Sequence, residues 1–242
     1  MIIFLLFLII LIILIFLACN DTDVLERKRK FGIYALYIPE RFVHLNRELT
    51  KANIEANYVL GYDKHILDMD IISENHDNSG KVACHMGHLS IMQRFLSTHE
   101  DYAIIFEDDI EFKDHNMIKS KLEYIINTLP RDSDITFLSY CYEECKNIDY
   151  NSIYSKATSP LCRHAYIVSR NGAKIILNET WPMNKNDGDK IYARLLKDKK
   201  MNGYLVNNKF IIIEQKREQF GSKLFNYISG KPPPKCYSVD KN

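Results

Sequence analysis

Five apolar residues, Tyr102-Ala103-Ile104-Ile105-Phe106, run without a break into three adjacent carboxylates, Glu107-Asp108-Asp109. A run this short and apolar suits a strand buried on both faces of a sheet. Its carboxyl end is where open α/β sheets present their ligand sites. From Gly32 onward the chain alternates short β-type runs with helical ones, the rhythm of an α/β fold. Residues 32–38 read as a strand stopped by Pro39, and residues 46–57 as a polar-amphipathic helix. Residues 82–97 place His85, His88, Leu89, Met92, Phe95 and Leu96 at helical spacing, and residues 118–129 form another helix ended by Pro130. Residues 135–140 and 165–169 are further strands. Ser169 caps a helix through Leu177, Asp189 opens one through Leu196, and residues 203–213 are a last strand or hairpin edge. No internal repeat interrupts this order, so a single domain is expected over residues 32–226, with a loose tail at 227–242 that contains Pro232-Pro233-Pro234.

Residues 1–19, MIIFLLFLIILIILIFLAC, carry no charge and no polar break. As a helix they span about 28 Å, close to the hydrocarbon thickness of a bilayer. The reading is a single-pass membrane anchor followed by a polar stem at 20–31. A cleaved signal peptide lacks its basic start here, and a lipoprotein signal ending at Cys19 has the same defect. Orientation stays open. Arg27-Lys28-Arg29-Lys30 after the anchor favours a cytosolic side, whereas the sequons at Asn20 and Asn178 have meaning only in an ER or Golgi lumen.

With 32 Lys and Arg against 31 Asp and Glu, the formal charge is +1, which argues against nucleic acid as the main partner. The carboxylates after the strand therefore matter more than the overall charge. Three in a row repel one another unless a cation or solvent offsets them. Hard divalent ions bind carboxylate oxygens together with substrate phosphates, so the triplet reads either as a metal–diphosphate site or as a solvated acidic turn.

The surrounding segments add to the triplet. Lys81-Val82-Ala83-Cys84-His85-Met86-Gly87-His88-Leu89-Ser90, followed by the strand and the carboxylates, resembles glycosyltransferase family 25, which contains bacterial lipooligosaccharide transferases and procollagen galactosyltransferases. Cys84 and His88 match the family's G-C-x-x-S-H pattern, while Ala83 and Gly87 stand where it has Gly and Ser. Ala165 to Lys174 is similar to its Y-I-x-S-x-x-G-A segment, and Ile213-Glu214-Gln215 with Ser222 to its closing element. The resemblance covers about residues 32–226, with the segments in the family's order.

The resemblance implies a GT-A-like, Rossmann-like nucleotide-sugar domain, a divalent metal (usually Mn²⁺) and a UDP-sugar donor, often UDP-galactose. It implies an inverting transfer to a hydroxyl on a glycan, a lipooligosaccharide or a hydroxylysine-containing protein. Asp109 would be the direct metal ligand, Asp108 a second metal or ribose contact, and Glu107, His88 and Gln215 donor-side contacts. Asp189, or its neighbour Asp187, would take the acceptor proton, although Asp189 reads equally as a helix N-cap. His88 reads equally as a buried helix histidine.

Cys141, Cys145, Cys162 and His164 have the ligand types of a zinc site, but a disulfide or free thiols account for them as well. Two rival functions remain. One is an inactive transferase-like binding protein, for which Ala83 and Gly87 leave room. The other is a metal-dependent phosphohydrolase, which leaves the later segments without a role.

Overall fold

A computed structural model describes residues 28–68, 78–144, 148–183, 188–216 and 235–236. The expected anchor, most of the stem and tail, Cys145 and Asp187 lie outside the described residues. Among the described residues no helix is long and apolar enough to cross a membrane.

Ten strands and five helices position the site. They run in chain order β1 (Phe31–Tyr37), a 3₁₀ turn (Pro39–Arg41), α1 (Phe42–Lys51), β2 (Asn57–Leu60), α2 (Ser79–Leu96), β3 (Tyr102–Phe106), β4 (Ile110–Phe112), α3 (His115–Thr128), β5 (Ile135–Phe137), β6 (Glu143–Glu144), β7 (Tyr154–Lys156), β8 (Ala165–Ser169), α4 (Arg170–Glu179), α5 (Gly188–Lys197), β9 (Gly203–Val206) and β10 (Ile213–Gln215). Seven strands form one mixed sheet in the order β2-β1-β3-β8-β5-β9-β7. The strands β1, β2 and β3 are parallel, while β8 runs antiparallel between β3 and β5. The fold is therefore the expected mixed α/β, Rossmann-like sheet.

Alternation along the central strands covers both faces. Tyr34, Leu36, Ala103 and Ile105 join a core with Met92 and Phe95 of α2, Ile176 of α4 and Leu195 of α5. Ala35, Ile104 and Phe106 point the other way, onto Leu45 and Leu49 of α1 and Leu122 and Ile125 of α3. The departure at Gly87 has a packing reason: a Cβ there would lie 2.7 Å from Leu36 Cδ1, so α2 rests closely on β1. Ser169 does cap α4, its side chain accepting from Gly172 N–H.

Several boundaries differ from the sequence reading. The first helix is Phe42–Lys51, not 46–57, because Asn57–Leu60 pairs with β1 as an edge strand. In place of one strand over residues 203–213, β9 ends at Val206 and joins the main sheet, and β10, which begins only at Ile213, pairs with β4. Within the expected loose tail, Lys235–Cys236 pairs antiparallel with β6.

Candidate active site

At the carboxyl end of β3 the three adjacent carboxylates part company. Just past the strand, Glu107 N–H bonds to His164 O at 2.8 Å. Its side chain falls on the α2 face, where Oε1 accepts from His88 Nε2 at 2.8 Å and lies 3.8 Å from Cys84 Sγ. Asp108 turns toward the end of β1. Its Oδ2 accepts from Ile38 N–H at 2.8 Å and its Oδ1 from Arg41 Nη1 at 3.1 Å. Asp109 turns toward β10, where its Oδ2 accepts from Gln215 Nε2 at 2.8 Å and sits 3.7 Å from the same Arg41 nitrogen.

The positions follow from local chain paths. Pro39 ends β1 and begins the 3₁₀ turn that brings Arg41 over the strand ends. The β4–β10 ladder sets Gln215 opposite Ile110, one residue past Asp109, and Lys216 N–H closes onto Asp109 O at 2.7 Å.

Burial governs the electrostatics. It pushes the Asp108 carboxyl up to about 6, against the lowering influence of Ile38 N–H and Arg41; the Asp109 charge adds to the rise. Burial likewise holds His88 and His85 well below the ordinary imidazole range, with the Arg163 guanidinium lowering both further. Their partners fix the tautomers. The Glu107 carboxylate only accepts, so His88 carries its proton on Nε2, and Nδ1 accepts from Tyr166 O–H at 2.9 Å. Thr180 spends its hydroxyl proton on Ile176 O, so His85 Nε2–H donates to it, and Arg163 Nη1 donates to His85 Nδ1 at 3.0 Å. Burial also pushes the Cys84 thiol far up, and the Glu107 charge adds to this.

Asp189 belongs to the same neighbourhood. It lies in the first turn of α5, where Oδ1 is 3.3 Å from Arg163 Nε and Oδ2 accepts from Cys162 N–H at 3.0 Å. Its side chain is 26% exposed, whereas that of Arg163 is 4% exposed. Arg163 also reaches Cys84 Sγ at 3.7 Å and stacks over the Tyr192 ring. Contacts therefore run unbroken from Asp189 through Arg163 and Cys84 to Glu107. His88, expected on the donor side, is fully buried and touches that side only through Glu107, which is 18% exposed.

The chemistry of the donor sets separates the candidate metal positions. Asp108 and Asp109 are hard oxygen donors that share one cation, Arg41, and their chemistry fits Mg²⁺ or Mn²⁺. Cys84, His88 and Glu107 also bring ligand atoms within 4.8 Å of one another, as do Cys141, Cys162 and His164. The first of these sets holds a thiol kept protonated by burial. In the second, Cys141 and Cys162 form a disulfide, which leaves no thiolate for zinc. The open question at these cysteines is thus resolved toward a disulfide.

Arg41, Arg163 and Tyr166 were not anticipated as site residues. Arg41 stood just past the Pro39 stop, and Arg163 lay inside the Cys162–His164 cluster. Neither carried a periodic signal, because each acts through a tertiary contact.

No curated protein sequence matches the chain significantly. Among solved structures it is similar to A197 from STIV (12% identity over 76% of this chain and 85% of that one, TM-score 0.45). It is also similar to a glycosyltransferase involved in glycosylation of the major capsid of PBCV-1 (10% identity over 60% and 63%, TM-score 0.34) and to the glycosyltransferase GlyE of Streptococcus pneumoniae TIGR4 (10% over 76% and 46%, TM-score 0.41). The family model of glycosyltransferase family 25 (LPS biosynthesis protein) matches residues 38–192, a span that runs from the end of β1 through the three carboxylates to Asp189. The chain belongs to glycosyltransferase family 25 and is a transferase.

Proposed function

We propose that the chain transfers a hexose, galactose in the first instance, from a UDP-sugar to an acceptor hydroxyl by a metal-assisted, inverting displacement on a GT-A-like domain. The observation that carries this reading is the convergence of Asp108, Asp109 and Arg41 beyond the carboxyl ends of the parallel strands β1 and β3. Asp109 and Asp108 would hold the divalent cation, Mn²⁺ by family resemblance. When bound, such an ion offsets the charge that develops on the departing diphosphate.

The chain's own groups supply the rest. Gln215 holds Asp109 in place, and Ile38 N–H with Arg41 holds Asp108. Glu107, oriented by neutral His88, faces the donor side. Asp189, beside Arg163, takes the proton of the acceptor hydroxyl. Asp187, the other carboxylate considered for this role, lies outside the described residues. A disulfide in the domain supports an oxidising compartment, and so a lumen-facing domain behind a single-pass anchor at residues 1–19. The acceptor is a glycan, a lipooligosaccharide or a hydroxylysine-containing protein.

One observation favours a second reading. Arg41 bridges Asp108 and Asp109 as a protein cation would in an inactive, metal-free binding scaffold. Release of UDP from UDP-galactose and UDP-glucose by the wild-type chain and Asp109→Ala, with Mn²⁺ and with EDTA, tests both readings. Turnover of one donor, abolished by EDTA and by the substitution, is the expected result. No turnover together with no calorimetric donor binding shifts the assignment to the scaffold.

A further inference from the structure

The tripeptide Cys162-Arg163-His164 touches both halves of the site at once. Cys162 N–H and Arg163 Nε each engage one oxygen of Asp189. His164 O receives the N–H of Glu107, and its Nε2 bonds Ser139 Oγ at 2.8 Å. Three residues of backbone thus set the spacing between α5 and the end of β3. Their conformation is not one a chain adopts freely: Cys162 sits at φ 66°, the left-handed region that non-glycine residues avoid.

Holding the backbone there are the Cys141–Cys162 disulfide, with Cα atoms 5.4 Å apart, and the adjoining bridge in which Cys141 N–H donates to Leu161 O at 2.9 Å and Leu161 N–H to Tyr142 O at 3.1 Å. On the far side of the disulfide, Cys141 Sγ lies 3.9 Å from Gln215 Oε1, and the same Gln215 amide donates to Asp109. Arg163 is seated by a further close approach. A Cβ at Gly188 would lie 2.3 Å from the guanidinium carbon, so the start of α5 packs directly on that group.

We infer that the Cys141–Cys162 disulfide and Arg163 form a latch that positions Asp189 against the Glu107 side of the site, so that opening the disulfide slows turnover while leaving donor binding in place. The catalytic consequence rests on the transferase reading above; the positioning itself does not. Opening by a phosphine is balanced chemistry. The S–S bond breaks, two thiols form with protons from water, and the phosphine is oxidised to its oxide with water's oxygen.

The test uses the full chain in four forms: oxidised wild type, wild type reduced with tris(carboxyethyl)phosphine, Cys141→Ala/Cys162→Ala, and Arg163→Lys with the disulfide intact. Hydrogen exchange is followed at the Cys162 amide and the first turn of α5, and kcat and donor KM are measured in parallel. Reduced chain and double variant should exchange at least about tenfold faster at those amides. Their kcat should drop by about tenfold or more, with donor KM within about twofold, as expected when a reacting group is misplaced and binding is not. Arg163→Lys keeps the charge but loses the planar contact, and should show the same split.

Unchanged exchange on reduction overturns the inference, as does a loss carried by donor KM alone. If the reduced and double-variant chains lose cooperative unfolding, Arg163→Lys decides, and unchanged exchange with unchanged kcat in that variant overturns the latch. Absence of turnover in oxidised wild type refutes the proposed transfer from a UDP-hexose, and the exchange comparison still decides the positioning.

Discussion

Acidification offers a quantitative check on the polar network beneath the carboxylates. His85 and His88 are both fully buried and held neutral, so the folded chain does not take up their protons near pH 6. The unfolded chain does, with ordinary imidazole values near 6.5. Stability from these residues is therefore fully present above about pH 6.5 and is lost as pH falls below it. Between pH 7.5 and 5.5 each histidine, neutral in the fold, costs between about 1 and 2 kcal/mol, or roughly 3 kcal/mol for the pair. Asp108 acts in the opposite direction. Its carboxyl is raised to about 6 in the fold, so it binds a proton that the unfolded chain takes up only nearer pH 4, returning about 1 kcal/mol over the same interval. The net expectation is a loss of about 2 kcal/mol from this network. Equilibrium urea unfolding in non-ionic detergent at pH 7.5, 6.5 and 5.5 measures it, with His85→Gln/His88→Gln as the comparison. The double variant should be less stable at pH 7.5 but should lose about 3 kcal/mol less on acidification. Equal pH dependence in the two chains would refute the assignment of neutral, tautomer-fixed histidines.

Other substitutions probe separate parts of the fold and site. At Gly172 an added Cβ meets Asp134 O at 2.2 Å, which is backbone and cannot swing aside, so Gly172→Ala should cost about 2 kcal/mol or more in urea unfolding. Gly87→Ala meets only the tip of Leu36 and gains helix propensity, so it should stay within about 1 kcal/mol of wild type in the same assay. Reduction of the disulfide, whose cysteines are 21 residues apart, should lower stability by about 3 kcal/mol, read as a shift of the urea midpoint. Gln215→Ala removes the amide that holds Asp109, and should raise the Mn²⁺ concentration for half-maximal donor turnover about tenfold, the equivalent of one hydrogen bond to a charged group.

The parts of this architecture legible in the sequence are those written in local pattern. The strand Tyr102–Phe106, the Ser169 cap and the long helix holding His85 and His88 were readable because apolar spacing and capping chemistry act within one or two turns. The edge strand Asn57–Leu60 was hidden because one edge pairing with β1, not its own pattern, makes it a strand. The same holds for β4 and β10, three residues each, which exist through pairing with one another. At the site, carboxylates announce themselves, but the groups that neutralise them do not. Arg41 and Arg163 come from a turn and a loop whose positions are set by tertiary contacts. Nor does cysteine spacing name a partner: of the clustered cysteines, Cys141 and Cys162 meet because β8 runs antiparallel beside β5 and brings the approach to one beside the exit from the other.

A strand that ends on three consecutive carboxylates raises a problem of charge, and the surrounding fold meets it by separating them. Pleating sends Glu107 to the α2 face, where neutral His88 donates to it and Arg163 stands beyond Cys84. The chain then leaves the strand, so Asp108 and Asp109 diverge toward β1 and β10, with Arg41 reaching both. Desolvation of the buried Asp108 carboxyl, with the Asp109 charge beside it, outweighs Ile38 N–H and the Arg41 guanidinium and lifts Asp108 toward neutrality. A divalent cation at that pair would reverse the lift, since it adds positive charge where the desolvation acts. The Asp108 carboxyl, raised by burial, is therefore a direct internal probe of metal binding. Its titration, followed by carbon-detected magnetic resonance, should fall from about 6 toward or below the ordinary aspartate value when Mg²⁺ is added. An unchanged titration at saturating Mg²⁺ would remove Asp108 from the metal site and leave the ion, if bound, to Asp109.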